Sequence, residues 1–236
     1  GIHAWTSTPP GRDSDPESRI IDALSDKTRI VALSWVRFQD GLKLDCARIG
    51  EACRQRGIEL VIDGIQGMGT HPVDLSNASA FVSGGHKGLL GPSGQGFLWT
   101  SSRFRDRLAP AGSWLSVEDW GNFARASTDL NRRWADDGTR LEQGNYNLLG
   151  CSALLHSARL LYAVSLQAIE THVSGLQRYF LDRLVADPEW RREAQRLSAL
   201  LSDQRLVIRP IHDQSRSPAG TEQRTFEICD QAAIER

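Results

Sequence analysis

Two short, β-branched, apolar runs, TRIVALS at 28–34 and IELVID at 58–63, bracket a stretch of helical periodicity, and that order restricts the chain to few architectures. Runs of this length and composition suit strands buried on both faces of a parallel sheet. Between them, LKLDCARIGEACRQRG places Leu42, Cys46, Ile49 and Cys53 on one helical stripe that stops at Gly57. Strand, helix, strand in this order predicts a right-handed crossover inside a mostly parallel α/β sheet.

Further along, Ala80 to Ser83 is a short strand candidate, GFLWT at 96–100 another, and SSRFRDRL a short helix capped by Ser101 or Ser102. Residues 111–144, rich in Trp, Asp, Arg and Asn without a period, predict long loops of the functional or interfacial kind. Helical patterning returns over 147–164 and 165–186, with a domain boundary expected near Ser165. The expected organisation is a partial large α/β domain, 1–165, its mostly parallel sheet flanked by helices. It is followed by part of a smaller α+β domain, 166–236, with a helix over 188–202 and strands in LVIRP and TFEIC.

The chain has 236 residues, 40% apolar and 24% charged, and its 28 Lys and Arg balance 29 Asp and Glu to a formal charge of −1. Such a balance creates no field that would draw in nucleic acid or an anionic membrane, so the expected partner is a small molecule. No run approaches the roughly 18 apolar residues of a membrane helix, and the polar opening lacks a signal peptide's apolar segment, which makes a cytoplasmic location the expectation. The opening Gly1 and the TSTPPGRDSDP run read as a cut through a longer protein. Cys46, Cys53, Cys151 and Cys229 form no Cys-x-x-Cys pair and are expected to be reduced thiols of the core. No histidine pair has metal-binding spacing on one helix face, so His156 and His172 read as ordinary helix residues. GGHKGLLG lacks the Gly-Lys-Ser/Thr ending of a nucleotide-binding P-loop.

In open parallel sheets ligands bind beyond the carboxyl ends of the strands, where Asp63 and Lys87 fall. A lysine amine becomes a covalent catalyst by forming a Schiff base with an aldehyde, of which pyridoxal phosphate is the common biological example. The cofactor ring draws electrons best with its pyridine nitrogen protonated, a state that a neighbouring carboxylate favours. Taken singly, a strand-end Asp is more often a turn residue and a lone Lys a solvated one.

Their neighbours change that balance. VIDGIQGMGTHPVDL, followed by GGHKGLLGPSGQGFLW, resembles the core signature of class V aminotransferases and cysteine desulfurase-like enzymes, pyridoxal-phosphate proteins of fold type I. The matching positions are Asp63, Gln66, Gly69, Pro72, Asp74, His86, Lys87, Gly91, Pro92, Gly94 and Gly96, and the similarity extends through LSWVRFQDG and RLEQGNYN over most of 28–165. The resemblance implies that Lys87 holds the cofactor and moves the proton at the substrate's α carbon. It implies that Asp63 pairs with the pyridine nitrogen, Gln66 bonds the phenolic oxygen and His86 lies beside the phosphate. It also implies an amino-acid substrate and a homodimer with shared sites.

Departures narrow the subgroup. In the R-x-E-x-G-T-x-N pattern of desulfurases the Thr reaches the partner's phosphate; Arg140, Glu142, Gly144 and Asn147 match here, with Asn145 at the Thr position. Gly84 stands where desulfurases place a phosphate-binding Ser, with Ser83 one place earlier, and Phe38 where they carry an Asn close to the cofactor. With GSWLS at 112–116, these features look more like the isopenicillin N epimerase-like branch. The family's upstream segment, with its phosphate-cradling loop, has no counterpart here, and neither Arg209 nor Arg224 is assigned to the substrate carboxylate. Transamination, epimerisation and carbon–sulfur cleavage all stay open as outcomes. So does a truncated or degenerate relative that keeps the fold and dimer contacts without catalysis.

Overall fold

The computed structural model describes residues 15–38, 41–126, 128–129 and 131–202. Its centre is a four-stranded sheet in the order β1 (Ile30–Ser34), β2 (Glu59–Asp63), β3 (Ala80–Gly84), β4 (Gly96–Thr100). The first three strands run parallel, with Ser34 beside Asp63 and Asp63 beside Val82. The connection over 85–95 is too short to carry a crossover helix back to the amino edge of the sheet, so β4 returns antiparallel, Ser83 opposite Phe97. The expected fold class, mostly parallel and flanked by helices, is what forms.

Helix α2 (Cys46–Gln55) packs one face of this sheet through Cys46, Ile49 and Cys53, which meet Leu60, Ile62 and Phe81 in the core. Phe81 is the keystone of that layer. Its ring stacks on Phe97 at 6.1 Å and meets Trp35 edge-on at 6.3 Å. Burial pushes the Cys46 thiol up to about 12, with the charges of Asp45 and Glu17 adding to the effect, and raises Cys53 too. Both are therefore inert protonated thiols of the core.

Several local expectations need correction. The helix starts later than the apolar stripe suggests, because Asp45 caps it by accepting a hydrogen bond from the Arg48 amide (3.0 Å). Leu42 stays buried, but in an extended turn where its carbonyl accepts from Arg37 N and Lys43 bridges Val36. Strand β1 is not buried on both faces: Val31 and Leu33 lean on the core, whereas Ile30, Ala32 and Ser34 face outward. Cys151 is exposed rather than core, because the helix that carries it buries only Gly150 and Leu161. Between the polar opening and β1 lies a helix not expected from the sequence, α1 (Pro16–Asp22), whose buried Glu17 accepts from the Asp45 amide at 2.9 Å and ties it to the start of α2.

After β4 comes the single-turn α3 (Ser102–Arg105), capped by Ser101 as expected. The described residues of the span 111–144 form the predicted loops, interrupted by a short 3-10 helix at Gly138–Leu141. Helices α4 (Leu148–Val164) and α5 (Leu166–Ala186) meet at Ser165, held at φ 76, and bend by 77° there. Helix α6 (Arg191–Ser202) folds back on α5, burying Leu181, Ala194 and Leu197. Among the described residues no single helix is long and apolar enough to cross a membrane. The predicted strands in LVIRP and TFEIC, and Cys229, lie outside the described residues.

Phe81 is 1% exposed and carries the contact between α2, Trp35 and β4. Phe81→Ala is expected to cost about 3–5 kcal/mol, read as a lowered urea midpoint with an unchanged slope.

Candidate active site

The carboxyl ends of β1, β2 and β3 lie side by side, and the loops that leave them carry the candidate residues. The sheet ladder continues past the strands, Trp35 N donating to Asp63 O and Gly64 N to Val82 O, both at 2.8 Å. Asp63 is half-buried, and its Oδ1 accepts from the Ile65 amide at 2.9 Å, which fixes the carboxylate at the mouth of the turn. In the same turn Gln66 is buried, with the Met68 amide donating to Gly64 O at 2.8 Å. His71 closes the turn, buried against the edge of Trp35 and bonded through Nδ1 to the Thr70 hydroxyl at 2.9 Å.

The loop with Lys87 is pinned onto this turn by backbone alone. Gly69 has φ 87, and a Cβ on it would overlap the carbonyl of Gly88; a Cβ on Gly88 would overlap the carbonyl of Met68. Only two residues without side chains can approach in this way. The same loop is closed by Gly91 N donating to Gly85 O (2.7 Å) and Leu90 N to Lys87 O (2.9 Å), and Leu154 of α4 presses on Gly85 and Gly91. Lys87 is half-buried, with its Nζ 5.7 Å from the centroid of the Phe38 ring, which extends from the end of β1. The structure thus brings Asp63, Gln66, His86 and Lys87 onto two interlocked loops.

His86 is exposed, and its ring lies where a side chain on Gly84 would meet it at 3.2 Å. A side chain there would also meet Ile65 Cδ1 at 3.0 Å, so Gly84 sits in close contact with both neighbours at the strand end. Ser83 goes elsewhere. Strand alternation puts it on the face of Phe81 and Ile62, opposite the face of Asp63, and its hydroxyl donates to Gly84 O at 3.1 Å.

Asn145 belongs to a separate segment held by side chains the sequence did not single out for this purpose. The hydroxyls of Ser113 and Ser116 both donate to Glu142 O, at 2.8 and 3.1 Å, and the Trp114 indole lies against Gly144. Asn147 then caps α4 through the Gly150 amide at 3.0 Å. Asn145 itself is exposed at φ 63, a conformation that Asn tolerates and a β-branched residue does not. The substitution of Asn for Thr is therefore matched by the backbone.

Residues 3–204 match the family model described as Aminotransferase class-V. A cysteine desulfurase of Escherichia coli O127:H6 is 29% identical over 167 residues, covering 70% of this chain and 39% of that protein. Among solved structures, the apo cysteine desulfurase of Thermococcus onnurineus NA1 superposes with a TM-score of 0.60 at 22% identity, over 84% of this chain and 52% of that one. A cystine C-S lyase in complex with its product cysteine persulfide gives 0.64 at 22% identity, over 85% of this chain and 58% of that one. The chain thus spans about two fifths of the curated relatives it matches.

Gly69→Ala is expected to cost at least about 2 kcal/mol in chemical denaturation, because the added methyl must separate the two loops. Asn145→Thr should cost about 1–2 kcal/mol from the left-handed backbone alone, whereas Asn145→Gly should leave the denaturation midpoint nearly unchanged.

Proposed function

We propose, from the premise that this chain belongs to the class V aminotransferase family, that it carries the lysine-centred half of a pyridoxal-phosphate site acting on amino acids. The observation that carries this reading is the Gly69–Gly88 contact, which sets the Lys87 loop against the turn of Asp63 and Gln66. The donor set fits the cofactor chemically: an amine, a carboxylate, an amide and an imidazole, all at the carboxyl edge of a parallel sheet. When bound, pyridoxal phosphate supplies an electron sink for the bonds of a substrate's α carbon.

Each of the chain's own groups then has a task. Lys87 holds the cofactor through its amine and afterwards moves a proton at the substrate's α carbon. Asp63 keeps the pyridine nitrogen protonated, its carboxylate already oriented by the Ile65 amide. Gln66 would hold the phenolic oxygen through its amide, and His86 would hold the phosphate through an imidazole N–H. Asn145 is the further phosphate contact of this reading, toward the site of a second copy, whereas Ser83, on the opposite face of the sheet, has no part in it. Homodimerisation is supported by the apolar surface left open on α4, where Leu149 and Tyr162 are more than four-fifths exposed, and by the cluster of Trp114, Trp120 and Phe123. Gly84 and Phe38 favour the isopenicillin N epimerase-like branch over the desulfurases, and the break at Ser165 is where the smaller domain begins.

The test is covalent. Complete gene product loaded with pyridoxal phosphate, reduced with borohydride and digested should carry the pyridoxyl mark on the Lys87 peptide. Lys87→Ala should abolish the mark and lower turnover at least about a hundredfold. Asp63→Asn should keep the mark but weaken cofactor retention about tenfold. A mark on another lysine would overturn the assignment.

A further inference from the structure

Helix α4 turns one stripe toward the body of the chain, Gly150, Leu154 and Leu161, while most of its other large apolar side chains stay exposed. Leu154 is the member of that stripe that lands on the Lys87 loop. A Cβ on Gly85 would stand 2.9 Å from Leu154 Cδ1, and one on Gly91 would stand 2.7 Å from the same methyl. The next neighbours of those added carbons, Gln95 O and Gly85 O, lie farther off at 3.2 and 3.1 Å. Neither glycine has a positive φ, so contact with the methyl, not backbone conformation, is what excludes a side chain at both positions. One methyl thus packs on both ends of the span 85–91, with Lys87 between them. Leu154 is half-buried and stands apart from the core that α2, Trp35 and Phe81 form, so what it supports is the loop.

We propose that Leu154 is a positioning residue for Lys87, its δ methyl setting the height of the loop and so the place where the amine meets the cofactor's aldehyde carbon. The inference rests on the assignment of Lys87 above and deepens it. The hydrogen bonds that close the loop, Gly85 N to Gln95 O and Gly91 N to Gly85 O, run within 85–95 and leave its height over α4 unset. On its other side the loop rests on Gly69 through Gly88. It is therefore clamped between a backbone and a methyl, and loss of the methyl removes the packing partner on one side. In the step at stake the neutral amine bonds to the aldehyde carbon, and its two hydrogens leave with the aldehyde oxygen as water. Misplacing a reacting group by about 1 Å can slow such a step about a hundredfold.

The experiment uses the complete gene product freed of cofactor, with two probes. Pyridoxal phosphate reports capture by Lys87, read as growth of the visible absorbance band and, after borohydride, as the mark on the Lys87 peptide. Pyridoxamine phosphate has no aldehyde and reports the affinity of the rest of the site, read from tryptophan fluorescence. Leu154→Ala is expected to slow capture at least about tenfold and to leave pyridoxamine phosphate affinity within about threefold. Leu154→Met keeps the volume and should stay within about threefold of the parent with both probes. Gly91→Ala should slow capture about tenfold because its methyl meets Leu154, and the double variant Gly91→Ala/Leu154→Ala should recover most of that loss. Equal loss for both probes in Leu154→Ala, capture at the parental rate, or a double variant slower than either single one would overturn the proposal. A parent that carries the mark on another lysine would instead overturn the Lys87 assignment, and this inference with it.

Discussion

The contact between the backbones of Gly69 and Gly88 is where the two chemical loops become one object. Hydrogen bonds can hold loops at a range of distances, but main-chain atoms in van der Waals contact allow almost no adjustment. Each loop is rigid on its own side: the 64–70 turn through its hydrogen bonds to Gly64 and Gly67, and the Lys87 loop through Gly91 N to Gly85 O. Joined, they hold the backbones that carry Asp63 and Lys87 in fixed relation across two adjacent strand ends. A ring bound by both ends needs that constancy, because small misplacements of a reacting group are costly.

The core beneath exists to keep that edge level. Helix α2, Trp35 and Phe81 fill one face of the sheet, so β2 and β3 end side by side with Asp63 next to Val82. Above it, α4 acts as a brace. Leu154 presses on both glycines that close the Lys87 loop, and Gln95, which accepts the Gly85 amide, also accepts from the Cys151 thiol at 3.2 Å. The helix capped by Asn147, two residues past Asn145, is thus packed on the loop that carries the lysine. This couples the segment proposed to serve a second copy to the chain's own site.

The second constraint is the exposed ring at the end of β1. Solvent-facing aromatics are ordinary on protein surfaces when scattered, but Phe38 stands over the amine proposed to hold the cofactor. Gly84 and Asn145 belong to the same pattern of departures. The first leaves room for the His86 ring, and the second suits a backbone that a Thr would strain. These departures from the desulfurase pattern are consistent with the surrounding geometry rather than isolated losses.

Much of this was legible in the chain itself. Periodicity and β-branching located the helices and strands, because strand ends and glycine turns are local features, and the family resemblance around Asp63, Gln66, His86 and Lys87 pointed to the chemistry. Local pattern could not reveal that β1 keeps one face open, that Cys151 points outward, or that residues 16–22 form a helix docked by Glu17. Nor could it show Ser83 turning away from Asp63 or Phe38 reaching Lys87 from a strand two places removed. Each of these depends on which surfaces meet after folding, and burial is a property of the assembled layers, not of any one segment. Residue types and their order therefore determined the family and the candidate site, and tertiary packing alone decided which side chains share it.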